Sequence, residues 1–286
     1  MNTDSYFEIG NTHTVCQDYA LTGKINEHLS YAIVADGCSA SPDVDVGARL
    51  VAHSAKEYLQ TAYKEHTKLP VIKASELAVP IIVTATRHAR DLLLPSPSLD
   101  STLLIALSDG KRAICCVYGD GGFIVKHKTS SVSHVIFHQD IEFSSGAPYY
   151  LSYLLSPARY HSYCQQFEGE AVLQRQCIRD GKSVTSSITH RITDFDKLYD
   201  EAMFDEDWDL EWVALVSDGV KTYEKKQEDG SSEKISTETT IEDFINYKSC
   251  TGKFVERRMK RMRKDCEKNG ITHYDDISIA AIYMGN

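Results

Sequence analysis

The sequence predicts an α+β fold, and three features carry that prediction. Short runs rich in Val, Ile, Thr and Tyr dominate the chain, several of them stopping at a glycine or an aspartate. Helical periodicity is confined to a few separate stretches. The order is segregated: a strand, two helices, a long run of strands, a helix-bearing stretch, a strand, a polar loop, helices and a last strand. A parallel sheet built from βαβ units would alternate instead.

The first strand is read over residues 31–36. Ser41-Pro42 has the look of an N-cap followed by proline at the first helical position. Ala48, Val51, Ala52, Ala55, Leu59, Ala62 and Tyr63 then recur at three- and four-residue spacing, which makes one apolar helix face. A second helix is expected over about 76–93, with Pro80 near its start and Pro95-Ser-Pro97 ending it. Strands follow at 102–108, 112–118, 123–126 and 132–138. Asp109-Gly110 between the first two reads as a two-residue hairpin turn, with positive φ at both positions.

The segment at about 139–211 is long and variable in character, and it ends in the acidic run Asp205-Glu-Asp-Trp-Asp-Leu-Glu211. It contains no linker, so residues 1–286 are expected to form one domain. After a strand at 212–217, a stretch at about 224–240 rich in Lys, Glu, Ser and Thr is expected to be a mobile polar loop. Phe254, Val255, Met259, Met262 and Cys266 mark an amphipathic helix that Gly270 should end, before a last strand at 277–283. No internal repeat is present.

Composition narrows the function. The 286 residues are 42% hydrophobic and 25% charged, with a net charge of −10. That balance argues against nucleic acid or anionic membranes as general partners, because both reward basic surfaces. None of the eight cysteines forms a C-x-x-C pair, so reduced, buried thiols are expected rather than zinc ligands or a disulfide framework. The first residues lack a basic and then apolar leader, and no run approaches the roughly eighteen apolar residues of a membrane span. A cytoplasmic monomer is the expectation.

Acidic residues repeatedly stand where an apolar strand stops. Ala32-Ile-Val-Ala-Asp36-Gly37, Val117-Tyr-Gly-Asp120-Gly121 and Val213-Ala-Leu-Val-Ser-Asp218-Gly219 share this pattern. Asp275-Asp276 reverses it by preceding the last strand. Antiparallel neighbours would bring such ends to one sheet edge. Two carboxylates about 4 Å apart repel by about 4 kcal/mol at an effective dielectric near 20, so a cluster needs protons or cations. Hard oxygen ligands select Mg²⁺ or Mn²⁺ over zinc. An isolated Asp-Gly after a strand is most often only a turn, so spacing alone leaves a metal site and a set of turns about equally favoured.

Taken in order, these motifs resemble the protein phosphatase 2C family, the PPM-type metal-dependent serine/threonine phosphatases, in a divergent, bacterial-like branch. The likeness runs from about residue 16 to 282. Gln17-Asp18 matches the end of the family's R-x-x-N-E/Q-D. Val34-Ala-Asp36-Gly37 matches V-x-D-G, and Asp100-Ser101-Thr102 stands at its G/S-S/T-T strand start. Gly119-Asp120 matches G-D-S, Ser217-Asp218-Gly219 matches S-D-G, and Asp275-Asp276-Ile277-Ser278 matches the terminal D-N/D-I/V-S/T.

The resemblance implies a four-layer α-β-β-α sandwich, two mainly antiparallel sheets flanked by helices, with metals in a cleft at one end. It implies two Mn²⁺ or Mg²⁺ ions and a position for a third. Asp36 would bridge the two ions, Gly37 would offer its carbonyl, Asp218 and Asp275 would hold the second ion, and Asp120 would help hold the third. Asp18 would orient metal-bound water. Phosphoserine or phosphothreonine in a protein or peptide would then be hydrolysed by water activated at the dinuclear centre.

Three departures stand out. His13 occupies the place of the family's phosphate-gripping arginine, so a histidine whose charge depends on pH would contact phosphate; a capping or surface role is equally open. Cys38 stands where many members carry a histidine acid. Cys38-Ser39-Ala40 lacks a glycine pair, and Gly121-Gly122 replaces Ser-Arg. The basic run from Lys253 to Lys264 reads as a solvated helix face. Two other readings remain: a pseudophosphatase retained as a regulatory binding module, and a phosphatase for a small phosphorylated metabolite.

Overall fold

The computed structural model describes residues 1–128, 135–143, 146–166, 170–179, 182–191, 199–227 and 229–285. In chain order the first strands are β1 (Asn2–Glu8), β2 (Asp18–Lys24), β3 (Ser30–Asp36), β4 (Leu103–Ser108) and β5 (Ala113–Tyr118). They are followed by β6 (Gly121–His127), β7 (Val135–Phe143), β8 (Glu170–Arg179), β9 (Lys182–Arg191) and β10 (Tyr199–Phe204). The last are β11 (Leu210–Val216), β12 (Tyr223–Lys226), β13 (Ser232–Lys234), β14 (Ile271–His273) and β15 (Ile277–Tyr283). The helices are α1 (Val44–Tyr63), α2 (Ala74–Asp91), α3 (Pro157–Gln166), α4 (Thr237–Ile245) and α5 (Phe254–Asn269).

Two sheets make the body of the fold. One runs β1-β15-β11-β6-β7-β8-β9 and the other β10-β5-β4-β3-β2, while β13-β12-β14 forms a small third sheet. Every described pairing is antiparallel. Period-two alternation assigns each strand face to a different layer. On β3, Ala32 and Val34 face the other sheet, while Tyr31, Ile33 and Ala35 pack under α1 and α2. On β15, Ala280 and Ile282 meet the other sheet, while Ile277, Ile279 and Ala281 pack under α4 and α5. Three apolar seams between four layers result: helices, sheet, sheet, helices.

Burial on both faces explains why the central strands read as unbroken apolar runs. β4 and β5 are buried throughout. The same rule explains which strands sequence pattern misses. β1 is half-buried along its length, and β9 is exposed over residues 184–189, so neither carries a core signature.

Several local expectations change. Ser41 does not cap α1: Asp43, with φ 51°, precedes the helix, and the Ser41 hydroxyl donates to Asp100 instead. The β4–β5 connection has four residues rather than two, and only Gly110 (φ 87°) has positive φ there. The polar stretch at 224–240 pairs as β12 and β13 and then begins α4, whose N-cap Ser236 accepts from Thr239 N. The stretch at 139–211 extends the two sheets through β7 to β10 and contributes α3, residues 144–145, 167–169, 180–181 and 192–198 lying outside those described. Of the strand expected at 132–138, residues 132–134 also lie outside them, and β7 begins at Val135. The helix at 254–269 ends as expected, with Gly270 left-handed at φ 67°.

Candidate active site

Strand register brings the acids together. Asp18 opens β2 directly opposite Asp36, which closes β3. In the other sheet, the end of β11 at Val216 lies between Gly122 near the start of β6 and Ile279 near the start of β15. The residues just beyond these ends, Asp120, Asp218 and Asp275, therefore emerge at one edge of the sandwich. They share with Asp36, Gly37 and His13 the lining of a single cleft of about 550 Å³.

Glycines set the approach. A Cβ on Gly219 would lie 1.8 Å from the Asp276 carbonyl oxygen, so the Ser217–Asp218–Gly219 turn rests directly on the strand opposite. Asp120 stands between Gly119 (φ 87°) and Gly121 (φ 91°), backbone that L side chains rarely adopt.

The floor of the cleft is electrostatically incomplete. Burial, and then the charges of Asp18, Asp218 and Asp120, push the Asp36 carboxyl well above its usual range. Asp120 is pushed up by burial and by Asp218, with Lys221 opposing. Asp275 is raised by burial and by Asp218. Asp218 Oδ1 is buried and accepts no hydrogen bond. A protein seldom leaves a buried carboxylate oxygen unpaired, because the lost solvation is large. Protons or a cation must complete this cluster, and an all-oxygen donor set suits a hard divalent cation. Among the described residues no three His, Cys, Asp or Glu side chains surround one point as a ready-made ligand group.

Two of the acids are held by the chain itself. Asp18 is 1% exposed, and its Oδ2 accepts from the Ser217 hydroxyl at 2.7 Å. Ser217 Oγ in turn accepts from Ser278 N at 2.9 Å. Burial, opposed by that Ser217 bond, pushes the Asp18 carboxyl up to about 7. Asp276, also 1% exposed, accepts from Gly10 N at 2.7 Å and Gln17 N at 2.5 Å. It staples the β1–β2 loop to the start of β15. His13, on that loop, lies between acids: its Nδ1 is 3.1 Å from Asp276 Oδ2 and its Nε2 is 3.8 Å from Asp275 Oδ1.

Sequence reading missed a second hub beside the cleft. Asp100 Oδ1 accepts from the Ser152 hydroxyl at 2.6 Å, and its Oδ2 from Ser41 at 3.0 Å and Arg159 Nη2 at 2.6 Å. Arg159 also lies over the Tyr153 ring, 4.8 Å from its centroid. This hub pins residues 151–159 against the start of β4, which makes Tyr150 and Tyr153 a wall of the cleft. No spacing signals it, because Ser41, Ser152 and Arg159 come from three separate segments.

A family model, that of protein phosphatase 2C, matches residues 10–266. The chain belongs to the protein phosphatase 2C family. Among curated proteins no relative is found by sequence. Solved structures agree on the fold. A bacterial serine phosphatase is similar at 12% identity and TM-score 0.52, covering 100% of this chain and 99% of its own. The serine/threonine phosphatase Stp1 from Staphylococcus aureus is similar at 11% identity and TM-score 0.52, covering 100% and 96%. The protein phosphatase 2C domain of SpoIIE from Bacillus subtilis, solved with a fragment of its regulatory domain, is similar at 9% identity and TM-score 0.51, covering 99% and 63%. Among the described residues, no helix of this protein phosphatase 2C domain is long and apolar enough to cross a membrane.

Proposed function

We propose that the chain is a metal-dependent phosphoprotein phosphatase that hydrolyses phosphoserine and phosphothreonine in proteins or peptides. The observation that carries this reading is the meeting of Asp36, Asp120, Asp218 and Asp275 in one cleft, with a buried carboxylate oxygen that nothing in the protein satisfies. Asp36, Asp218 and Asp275, with the Gly37 carbonyl, are the donors for two Mn²⁺ or Mg²⁺ ions, and Asp120 is a donor for a third. Such ions supply an acidified water and a positive field for the phosphoryl oxygens.

The chain's own residues hold this arrangement in place. Ser217 fixes Asp18 below the floor, and Asp276 fixes the loop that carries His13 and Gln17. Ser217 is 1% exposed, so despite its carboxylate partner it is no nucleophile for a substrate in the cleft. Attack by water in line with the leaving seryl or threonyl oxygen is therefore the step that the site favours. His13, engaged by Asp275 and Asp276, acts in this reading on the carboxylates rather than as the grip on phosphate.

The test uses the purified chain with Mn²⁺ and a phosphothreonine peptide. Turnover is expected, with loss on chelation and in Asp36→Asn and Asp218→Asn. Mn²⁺-saturated protein that turns over neither this peptide nor p-nitrophenyl phosphate would replace the reading with a regulatory binding module.

A further inference from the structure

Phosphate monoesters arrive as dianions, yet the cleft is built on carboxylates. Among the described residues that line it there is no lysine or arginine. Lys221 lies close enough to Asp120 to oppose its shift, and Arg159 is bound to Asp100, but neither lines the cleft. His13 is flanked by two carboxylates. Whatever the metals contribute, the protein's own grip on the phosphoryl group must come from neutral donors.

Three of the hydroxyls on the lining already have partners within the protein. Thr12 donates to the Tyr274 carbonyl at 2.5 Å, and Ser41 donates to Asp100. Thr102 Oγ1 accepts from Asp36 N at 3.2 Å. Tyr150 differs from these. It is 7% exposed and stands at the head of the turn at Leu151–Leu155 that the Asp100 hub pins down. Its ring packs against Tyr153 with centroids 5.7 Å apart, which fixes its direction. Its hydroxyl lies near the thiol of Cys38, which acts on it electrostatically. A thiol is a weak acceptor, so a phosphoryl oxygen can take this hydroxyl at little cost. Tyr150 shares the lining of the cleft with Asp36 and Asp120.

We propose that Tyr150 is a substrate-binding residue of the cleft, whose hydroxyl turns from the Cys38 thiol to donate to a phosphoryl oxygen of the bound monoester. The proposal rests on the phosphatase reading for its substrate class. Burial first, and then Cys38, push the phenol well above its usual range, so Tyr150 keeps its proton and remains a donor throughout the working pH range. The residue supplies without charge part of what a fixed cation would supply.

The experiment compares wild type with Tyr150→Phe, which keeps the ring and its packing and removes only the hydroxyl. Affinity of the Mn²⁺-loaded protein for inorganic phosphate is measured by calorimetry, alongside KM and kcat for p-nitrophenyl phosphate. Removing one hydrogen bond to a charged group should weaken phosphate binding and raise KM by about 10-fold or more. Mn²⁺ affinity and Tm should stay unchanged. Cys38→Ser gives the hydroxyl a better acceptor and should weaken phosphate in the same direction by a smaller factor. Unchanged phosphate affinity and KM in Tyr150→Phe overturn the proposal, as does a loss that tracks lower Mn²⁺ affinity. Wild type that binds phosphate through Tyr150 yet hydrolyses nothing sinks the phosphatase reading and leaves the binding role standing. Wild type that neither binds phosphate nor turns over substrate overturns both.

Discussion

The antiparallel β3–β4 pair has acids at both ends, and the chain treats them in opposite ways. Beyond its far end, the Asp109 carboxylate accepts from the backbone N–H groups of Leu69, Lys111 and Arg112 and from the Arg112 guanidinium. Burial works to raise that carboxyl, yet these bonds hold it below its usual value of 3.8. At the near end, Thr102 N donates to the Asp36 carbonyl, and the Asp36 carboxyl meets other carboxyls rather than donors. One acid is completed by the chain; the other is complete only with something from outside. Asp100 and Asp276 belong with Asp109, saturated by hydroxyls, a guanidinium or backbone N–H groups. A buried carboxylate is thus informative through its donors rather than through its burial.

This contrast can be broken by mutation. The largest effect is expected at the unsatisfied end: Asp36→Asn or Asp218→Asn should lower kcat on a phosphothreonine peptide by about 10²–10³-fold or more, the scale of losing one preorganised electrostatic group. Retained activity in either variant would mean the cleft acids are only turns. At a saturated acid the cost should be structural. Asp276→Ala leaves the Gly10 and Gln17 N–H groups without their partner, and should destabilise the metal-free protein by about 3 kcal/mol in urea unfolding. A neutral result would show that the β1–β2 loop repacks without its staple.

Asp109→Asn should cost about 2 kcal/mol, because charge-assisted bonds become neutral ones. Its signature lies in pH. The folded carboxyl titrates below 3.8, so its stabilisation is present above that value and is lost as pH falls through the lower, folded one. The variant should therefore unfold with a shallower dependence on acid below about pH 4, and an unchanged slope would count against the bonds at this turn.

The smallest effect has the opposite sign. Carboxyls raised by burial and mutual charge favour the folded state below 3.8 and lose that contribution as pH climbs through their folded values, about 7 for Asp18 and well above 3.8 for Asp36 and Asp120. Metal-free Asp36→Asn should then be more stable than wild type by about 1 kcal/mol near pH 8, with the advantage shrinking towards pH 5. Mn²⁺ should reverse the ranking, because only wild type binds it fully. Equal melting temperatures without metal would mean that the cleft carboxyls do not repel one another.

Much of this fold is legible in the chain. Residues 31–36, 102–108 and 277–283 read as strands because both their faces are buried. The helix at 254–269 is betrayed by its apolar stripe and its terminal glycine. The expectation of a capped helix at Ser41 fails because α1 begins only at Val44, and the Ser41 side chain is turned instead onto Asp100, 59 residues away. The polar stretch at 224–240 looked mobile because β13 is exposed throughout and so carries no burial pattern. In the cleft, Asp36, Asp120 and Asp218 announce themselves by ending apolar strands. Tyr150 and Arg159 give no such signal, because neither ends a strand nor belongs to a motif.

Sequence by itself determined which acids stand at strand ends, since the alternation of apolar residues fixes where each strand stops and which way its last side chain points. Only tertiary structure decided which acids remain available. Donors that hold Asp276 and Asp18 come from 266 and 199 residues away, and those of Asp100 from Ser41, α3 and the turn before it. Local spacing cannot encode a partner that reaches a carboxylate only after two sheets have closed on one another.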